Sequence, residues 1–137
     1  MRRPLVAIVD DDEALCASLV DLMRSVGYRA ESFFAAETLL TSPNRPFFDC
    51  IIADVRMPGM GGFDLVRKLQ EEGVSVPVIM VTALPDRQLD DQAIFVGAQY
   101  LLGKPIETQT LLDCIERSLS SERARCCLLY TSDAADE

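Results

Sequence analysis

The chain of 137 residues contains no histidine, and its five cysteines (Cys16, Cys50, Cys114, Cys126 and Cys127) lack the close pair spacing of metal sites. Zinc centres draw on one or the other, so zinc is set aside and reduced cytosolic thiols are expected. No apolar run approaches the roughly 20 residues of a membrane span. The opening "MRRPLVAIVDDD" has too short an apolar run before its aspartates to be a secretory signal. Positive charge is scarce: 13 Lys and Arg against 22 Asp and Glu leave a net charge of −9. That balance argues against this chain gripping nucleic acid or an anionic membrane by itself. No G-x-G-x-x-G and no G-K-[ST] is present, which removes the usual phosphate-cradling loops of nucleotide-binding folds. What is left is a cytoplasmic domain of ordinary globular composition, long enough to bury about two thirds of its unfolded surface.

Three segments have continuous rather than alternating apolar residues, the mark of strands buried on both faces: 5–9 "LVAIV", 50–53 "CIIA" and 77–83 "PVIMVTA". Two weaker strands are expected at 28–33, which alternates like an edge strand, and at 99–102. Helical periodicity occupies 13–26, with Leu15, Leu19, Leu22 and Val26 on one face and Gly27 as its stop. Further helices are expected at about 35–41, 62–72, 87–96 and 107–121, the last with Leu112, Ile115 and Leu119 as its stripe. Strand and helix alternate five times. Parallel strands need crossover helices, so the expected fold is an α/β sandwich around a parallel sheet.

Ligands of open parallel sheets bind outside the carboxyl ends of the strands. Asp10, Asp11 and Asp12 follow the first strand, Asp54 ends the third, Thr82 lies at the end of the fourth, and Lys104 follows the fifth. Two charges about 5 Å apart repel by roughly 3 kcal/mol at an effective dielectric near 20, so carboxylates crowded at one rim call for a cation. Oxygen ligands at that spacing suit Mg²⁺. A carboxylate beside a metal and a lysine can attack phosphorus, with Lys104 and the Thr82 hydroxyl sharing the charge of the transferring group. Taken singly, each residue has a plainer role. An acidic run can open a helix, with Asp12 as the cap; Asp54 can be a turn residue, Thr82 a strand residue and Lys104 a solvated charge. Their joint placement at four strand ends favours the chemical reading.

Together, "IVDDDE", "IIADVRMPGMGG", "VPVIMVTA" and "GAQYLLGKP" resemble the receiver domain of two-component response regulators, over residues 4 to about 121. The resemblance implies a flavodoxin-like three-layer sandwich, with five helices and a five-stranded parallel sheet in the order 2-1-3-4-5. By position it implies Asp54 as phosphoacceptor. Mg²⁺ would be held by Asp11, Asp54 and the backbone carbonyl of Arg56, with Asp10 acting through water. Thr82 matches the switch hydroxyl, Ala83 the small residue that leaves room for the phosphoryl group, and Lys104 the phosphate-pairing lysine. The bond before Pro105 is cis in that family, an isomer tolerated essentially only before proline. One departure stands out: the usual aromatic residue three positions before the lysine is Leu101, and Tyr100, one earlier, should face the other way.

The implied function is a phosphorylation-activated switch, not an enzyme in the ordinary sense. Its partner is a sensor histidine kinase, since a chain without histidine cannot supply its own phosphohistidine. A homodimer on phosphorylation is allowed, and the responding surface is about 87–121. "ESFFAAETLL" and "DVRMPGMGG" resemble more narrowly the receivers of FixJ-like transcriptional regulators. Output is therefore expected through a C-terminal DNA-binding domain, with a stand-alone protein-binding receiver as the alternative. A remoter alternative is a haloacid-dehalogenase-like phosphohydrolase with Asp10 as nucleophile and Asp12 completing D-x-D. That pattern expects Thr or Val where Ala14 stands, and it leaves Asp54 without a role. Beyond residue 121 both periodicities fade. Residues 122–126 read as the start of a linker, and 127–137, "CLLYTSDAADE", as in-frame read-through of a sequencing adapter, expected to be disordered.

Overall fold

The computed structural model describes residues 3–44, 47–83, 91–92 and 97–121. Five strands, β1 (Leu5–Val9), β2 (Arg29–Phe33), β3 (Cys50–Asp54), β4 (Val78–Thr82) and β5 (Tyr100–Gly103), form one sheet in the order β2-β1-β3-β4-β5. Every pairing is parallel. The order follows from burial: every residue of β1, β3 and β4 is buried, as befits central strands, whereas β2 and β5 are only partly covered at the edges. The expected strand at 77–83 is shorter, Val78–Thr82. Pro77 has no N–H for a ladder, and its carbonyl instead accepts Ile51 N at 3.0 Å.

Four helices are described: α1 (Glu13–Ser25), α2 (Ala36–Leu40), α3 (Gly62–Glu71) and α4 (Thr108–Ser121). Of the helix expected at 87–96, Asp91 and Gln92 are helical and the remainder lies outside the described residues, as do the linker and tail at 122–137. The helices cover both faces of the sheet. On one face Leu65, Val66 and Leu69 of α3, with Ala36 and Leu39 of α2, pack on Ala7, Val9, Ile51, Ala53 and Met80. On the other, α1 and α4 enclose Val6, Ile8, Ile52, Ile79 and Val81. Truncating a fully buried residue such as Ile8 to alanine would cost about 2–5 kcal/mol, transfer and cavity terms together.

Two helix stripes differ from expectation by one position. The buried face of α1 is Cys16, Leu19 and Met23, with Leu15 and Leu22 flanking it, and Val26 is 44% exposed. Val26 lies past the last turn: Gly27 at φ 95° reverses the chain, Gly27 N bonds Arg24 O at 3.1 Å, and Tyr28 N bonds Met23 O at 2.9 Å. In α4 the buried residues are Leu111, Cys114, Ile115 and Ser118, with Leu112 and Leu119 on the margin. Among the described residues no helix is long and apolar enough to cross a membrane.

Candidate functional site at the strand ends

The three aspartates after β1 have three different environments. Asp10 is buried, its backbone N bonding Phe33 O at 3.0 Å and its Oδ1 accepting Asp12 N at 2.9 Å. Asp12 is the N-cap of α1, its Oδ1 accepting Leu15 N at 3.1 Å. That bond satisfies an amide that the helix itself leaves unpaired. Asp11, between them, is exposed. The turn from strand to helix thus separates a buried carboxylate, a rim carboxylate and a cap. Asp12 is committed to the helix, which weakens the D-x-D alternative.

Asp54, the last residue of β3, is buried, and its Oδ1 accepts Arg56 N at 3.4 Å. The backbone beyond it continues the sheet for one residue through Val55 N to Val81 O at 2.8 Å, then returns as Gly62 N bonds Val55 O at 3.0 Å. This return needs glycine. A Cβ at Gly62 would lie 2.5 Å from the Asp54 carbonyl oxygen and 2.5 Å from Met80 Cε, and one at Gly61 would lie 2.8 Å from Val55 O. The pair "GG" therefore does more than lead into a helix. It lets α3 start directly against the backbone of the site.

Lys104 enters from β5. Its backbone N bonds Thr82 O at 2.8 Å, extending the β4–β5 ladder, and the Lys104–Pro105 peptide is cis. Its Nζ lies 3.0 Å from Asp10 Oδ2 and 3.4 Å from Asp54 Oδ2. Burial alone would lower the lysine pKa; the hydrogen bond to Asp10 and the charges of Asp54 and Asp10 outweigh it, so the net direction is up. Asp54 is also raised, first by burial and then by the charge of Asp10, against the opposing pull of Lys104. Thr82 is buried, and together with Asp54, Arg56, Ala83 and Lys104 it lines a pocket of about 140 Å³. Asp10, Asp11, Asp54, Thr82 and Lys104 thus come from four strands to one rim.

Carboxylate oxygens of Asp10, Asp11 and Asp54 all lie within 4.8 Å of one another. Three carboxylates against one ammonium leave an excess of negative charge, and every donor is a hard oxygen. Both features fit Mg²⁺. Leu101 and Tyr100 do not line the pocket. They face opposite sides of the sheet, Leu101 toward the core under α2 and α3, Tyr100 toward that under α1 and α4. Sequence patterns did not reveal two contacts, the pairing of Lys104 with Asp10 and a bond from Glu37 Oε2 to Met60 N at 3.3 Å.

A family model described as the response regulator receiver domain matches residues 6–116. The response regulator protein TodT of Pseudomonas putida is 37% identical over 118 residues, covering 86% of this chain and 52% of that protein. The transcriptional regulatory protein FixJ of Bradyrhizobium diazoefficiens is 32% identical over 114 residues, 83% of this chain and 56% of that protein. The chain thus spans about half the length of the curated relatives it matches. Among solved structures, response regulator StyR superposes with a TM-score of 0.81 at 37% identity, covering 96% of this chain and 67% of that one. The sheet order, the acidic rim and the match over residues 6–116 agree, and the chain belongs to the response regulator receiver domains, the signalling domains of two-component systems.

Proposed function

We propose that this domain is a phosphorylation-activated switch whose acceptor is Asp54. The observation that carries this reading is the joint placement of Asp54, Lys104 and Thr82 around one pocket beside the Asp10–Asp11 carboxylates. An oxygen of Asp54 attacks the phosphorus of a phosphohistidine on a sensor histidine kinase. The P–O bond forms as the P–N bond breaks, and the electron pair returns to the imidazole nitrogen. Asp11, Asp54 and the Arg56 carbonyl would hold Mg²⁺, with Asp10 acting through water; the ion would neutralise charge on the phosphoryl oxygens. Lys104, held as a cation by its carboxylate partners, supplies a further positive charge at the pocket. The Thr82 hydroxyl would donate to a phosphoryl oxygen and the small Ala83 would leave the group room, a reading supported by the presence of both residues in the pocket lining.

The signal would leave through the responding surface expected over about 87–121, of which β5 and α4 are described, in the cytoplasm where histidine kinases present their phosphohistidine. The matched stretch fills only 56% of a relative that is a transcriptional regulator, which supports an output in transcription through a following DNA-binding domain, with dimerisation on phosphorylation as the intermediate. The test is intact-protein mass spectrometry after exposure to a small acyl phosphate. One phosphoryl group should be added, and it should be lost with EDTA and in Asp54→Asn. If Asp10→Asn blocks the addition while Asp54→Asn does not, the nucleophile is Asp10 and the reading fails.

A further inference from the structure

The loop 55–61 carries Arg56 from the end of β3 to the start of α3, so its position sets where the Arg56 carbonyl stands. Its apolar side chains Val55, Met57 and Met60 pack in the core shared with Ala36, Leu39 and Leu40 of α2. Above that contact the exposed Glu37 of α2 turns its carboxylate onto the loop backbone. Glu37 Oε2 accepts Met60 N at 3.3 Å. At the preceding residue, Gly59, φ is 79° and a Cβ would lie 3.1 Å from the same oxygen. The positive φ favours glycine at this position, and a methyl group there would crowd the carboxylate. A glutamate in the first turn of a helix ordinarily serves the helix dipole. Here the helix is five residues long, and the side chain bonds the loop instead.

We propose that Glu37 is a positioning residue for the metal site, fixing the loop 55–61 through Met60 N and so fixing the Arg56 carbonyl beside Asp54. The inference rests on the proposed metal-dependent acceptance at Asp54. Residues that orient ligands without touching the ion commonly change metal affinity by 10–100-fold; for an exposed bond to a loop, about three- to tenfold is expected.

The test is Mg²⁺ titration of the chain without any phosphodonor, followed by amide resonances, with the Mg²⁺ dependence of acyl-phosphate labelling measured alongside. Glu37→Ala should raise the Mg²⁺ dissociation constant about three- to tenfold and remove hydrogen-exchange protection at the Met60 amide. The change in labelling should fall mainly on the Mg²⁺ constant, with the rate at saturating Mg²⁺ reduced less than about twofold. Glu37→Gln keeps an oxygen acceptor and should restore Mg²⁺ affinity. Gly59→Ala, which places a methyl group against the carboxylate in a strained backbone, should weaken Mg²⁺ like Glu37→Ala. Wild-type affinity in Glu37→Ala or in Gly59→Ala would overturn the proposal. So would a Gln variant as weak as the alanine one, because charge and not the bond would then be responsible. If the wild type itself shows no Mg²⁺ shifts at Asp10, Asp11 and Asp54, the metal-site reading fails first.

Discussion

Lys104 Nζ sits 3.0 Å from Asp10 Oδ2, closer than its 3.4 Å approach to Asp54, so the lysine's nearest partner is the neighbouring carboxylate. Asp10 is 4% exposed and Asp54 7%. Lys104 therefore holds together two buried like charges as well as standing ready for a phosphoryl group. Removing one partner of a buried pair costs about 3–5 kcal/mol, and the partial exposure of the lysine side chain reduces this to about 1–3. Lys104→Ala in EDTA should lower the urea midpoint accordingly. An unchanged midpoint would show that water already satisfies both carboxylates.

Switching separates from chemistry in the next set of variants. Thr82→Ala and Lys104→Ala keep Asp54 and the acidic rim, so both should still acquire phosphate. In the wild type, phosphorylation should shift amide resonances over about 87–121, and the shifts should shrink in either variant. Equal shifts in all three proteins would remove Thr82 and Lys104 from the relay.

Leu101 packs against the core beneath α2 and α3 and has no hydroxyl to expose. Leu101→Ala should alter dimerisation or partner affinity while the phosphorylation rate stays within a few fold. A large loss of rate would assign the residue to support of the pocket itself.

Gly62 meets backbone on one side, the Asp54 carbonyl oxygen at 2.5 Å from an ideal Cβ, and that oxygen has little freedom to yield. Gly62→Ala should destabilise the chain by about 1–3 kcal/mol through overpacking, and the displaced Asp54 should accept phosphate more slowly. Chemical denaturation and labelling kinetics read the two effects separately. A variant as stable and as fast as wild type would show that α3 can slide away from the sheet at no cost.

Continuous apolar runs made β1, β3 and β4 legible, because strands buried on both faces leave no alternation to confuse. The site residues on the rim were legible for the same reason: once strand ends are placed, the polar residues that terminate them must converge. The stripe of α1 was misplaced by one position because Cys16 and Met23 carry less hydrophobic signal than Leu15 and Leu22 beside them; in α4 the adjacent Leu111 and Leu112 give no contrast, and the buried Ser118 gives no hydrophobic signal at all. The Glu37–Met60 bond joins residues 23 apart through an exposed side chain, and no local period encodes such a contact.

Three thiols, Cys16, Cys50 and Cys114, are buried and in no disulfide. Burial, reinforced by the charge of Asp10, pushes the Cys16 thiol from 9.0 up to about 11, and burial raises Cys114 as well. The thiolate is the reactive form. In a C126S/C127S background, labelling at about pH 8 should therefore be slower in the native chain than in denaturant, by about 100-fold at Cys16 if its thiol is pushed from 9.0 to about 11. Between pH 9.0 and about 11 the unfolded Cys16 loses its proton while the native one keeps it. The associated stability is complete below that window and is lost as pH rises through it. Cys16→Ala should flatten the alkaline decline; a decline of unchanged steepness would assign it to other groups.

The central claim is that Asp54 takes the phosphoryl group, and the most direct measurement is the site of modification itself. The chain should be phosphorylated by a small acyl phosphate with Mg²⁺, trapped by borohydride reduction of the acyl phosphate, digested and sequenced by mass spectrometry. Reduction should convert Asp54, and no other aspartate, to homoserine. Homoserine at position 10, or an unmodified residue 54 in a chain that has gained a phosphoryl group, would contradict the account.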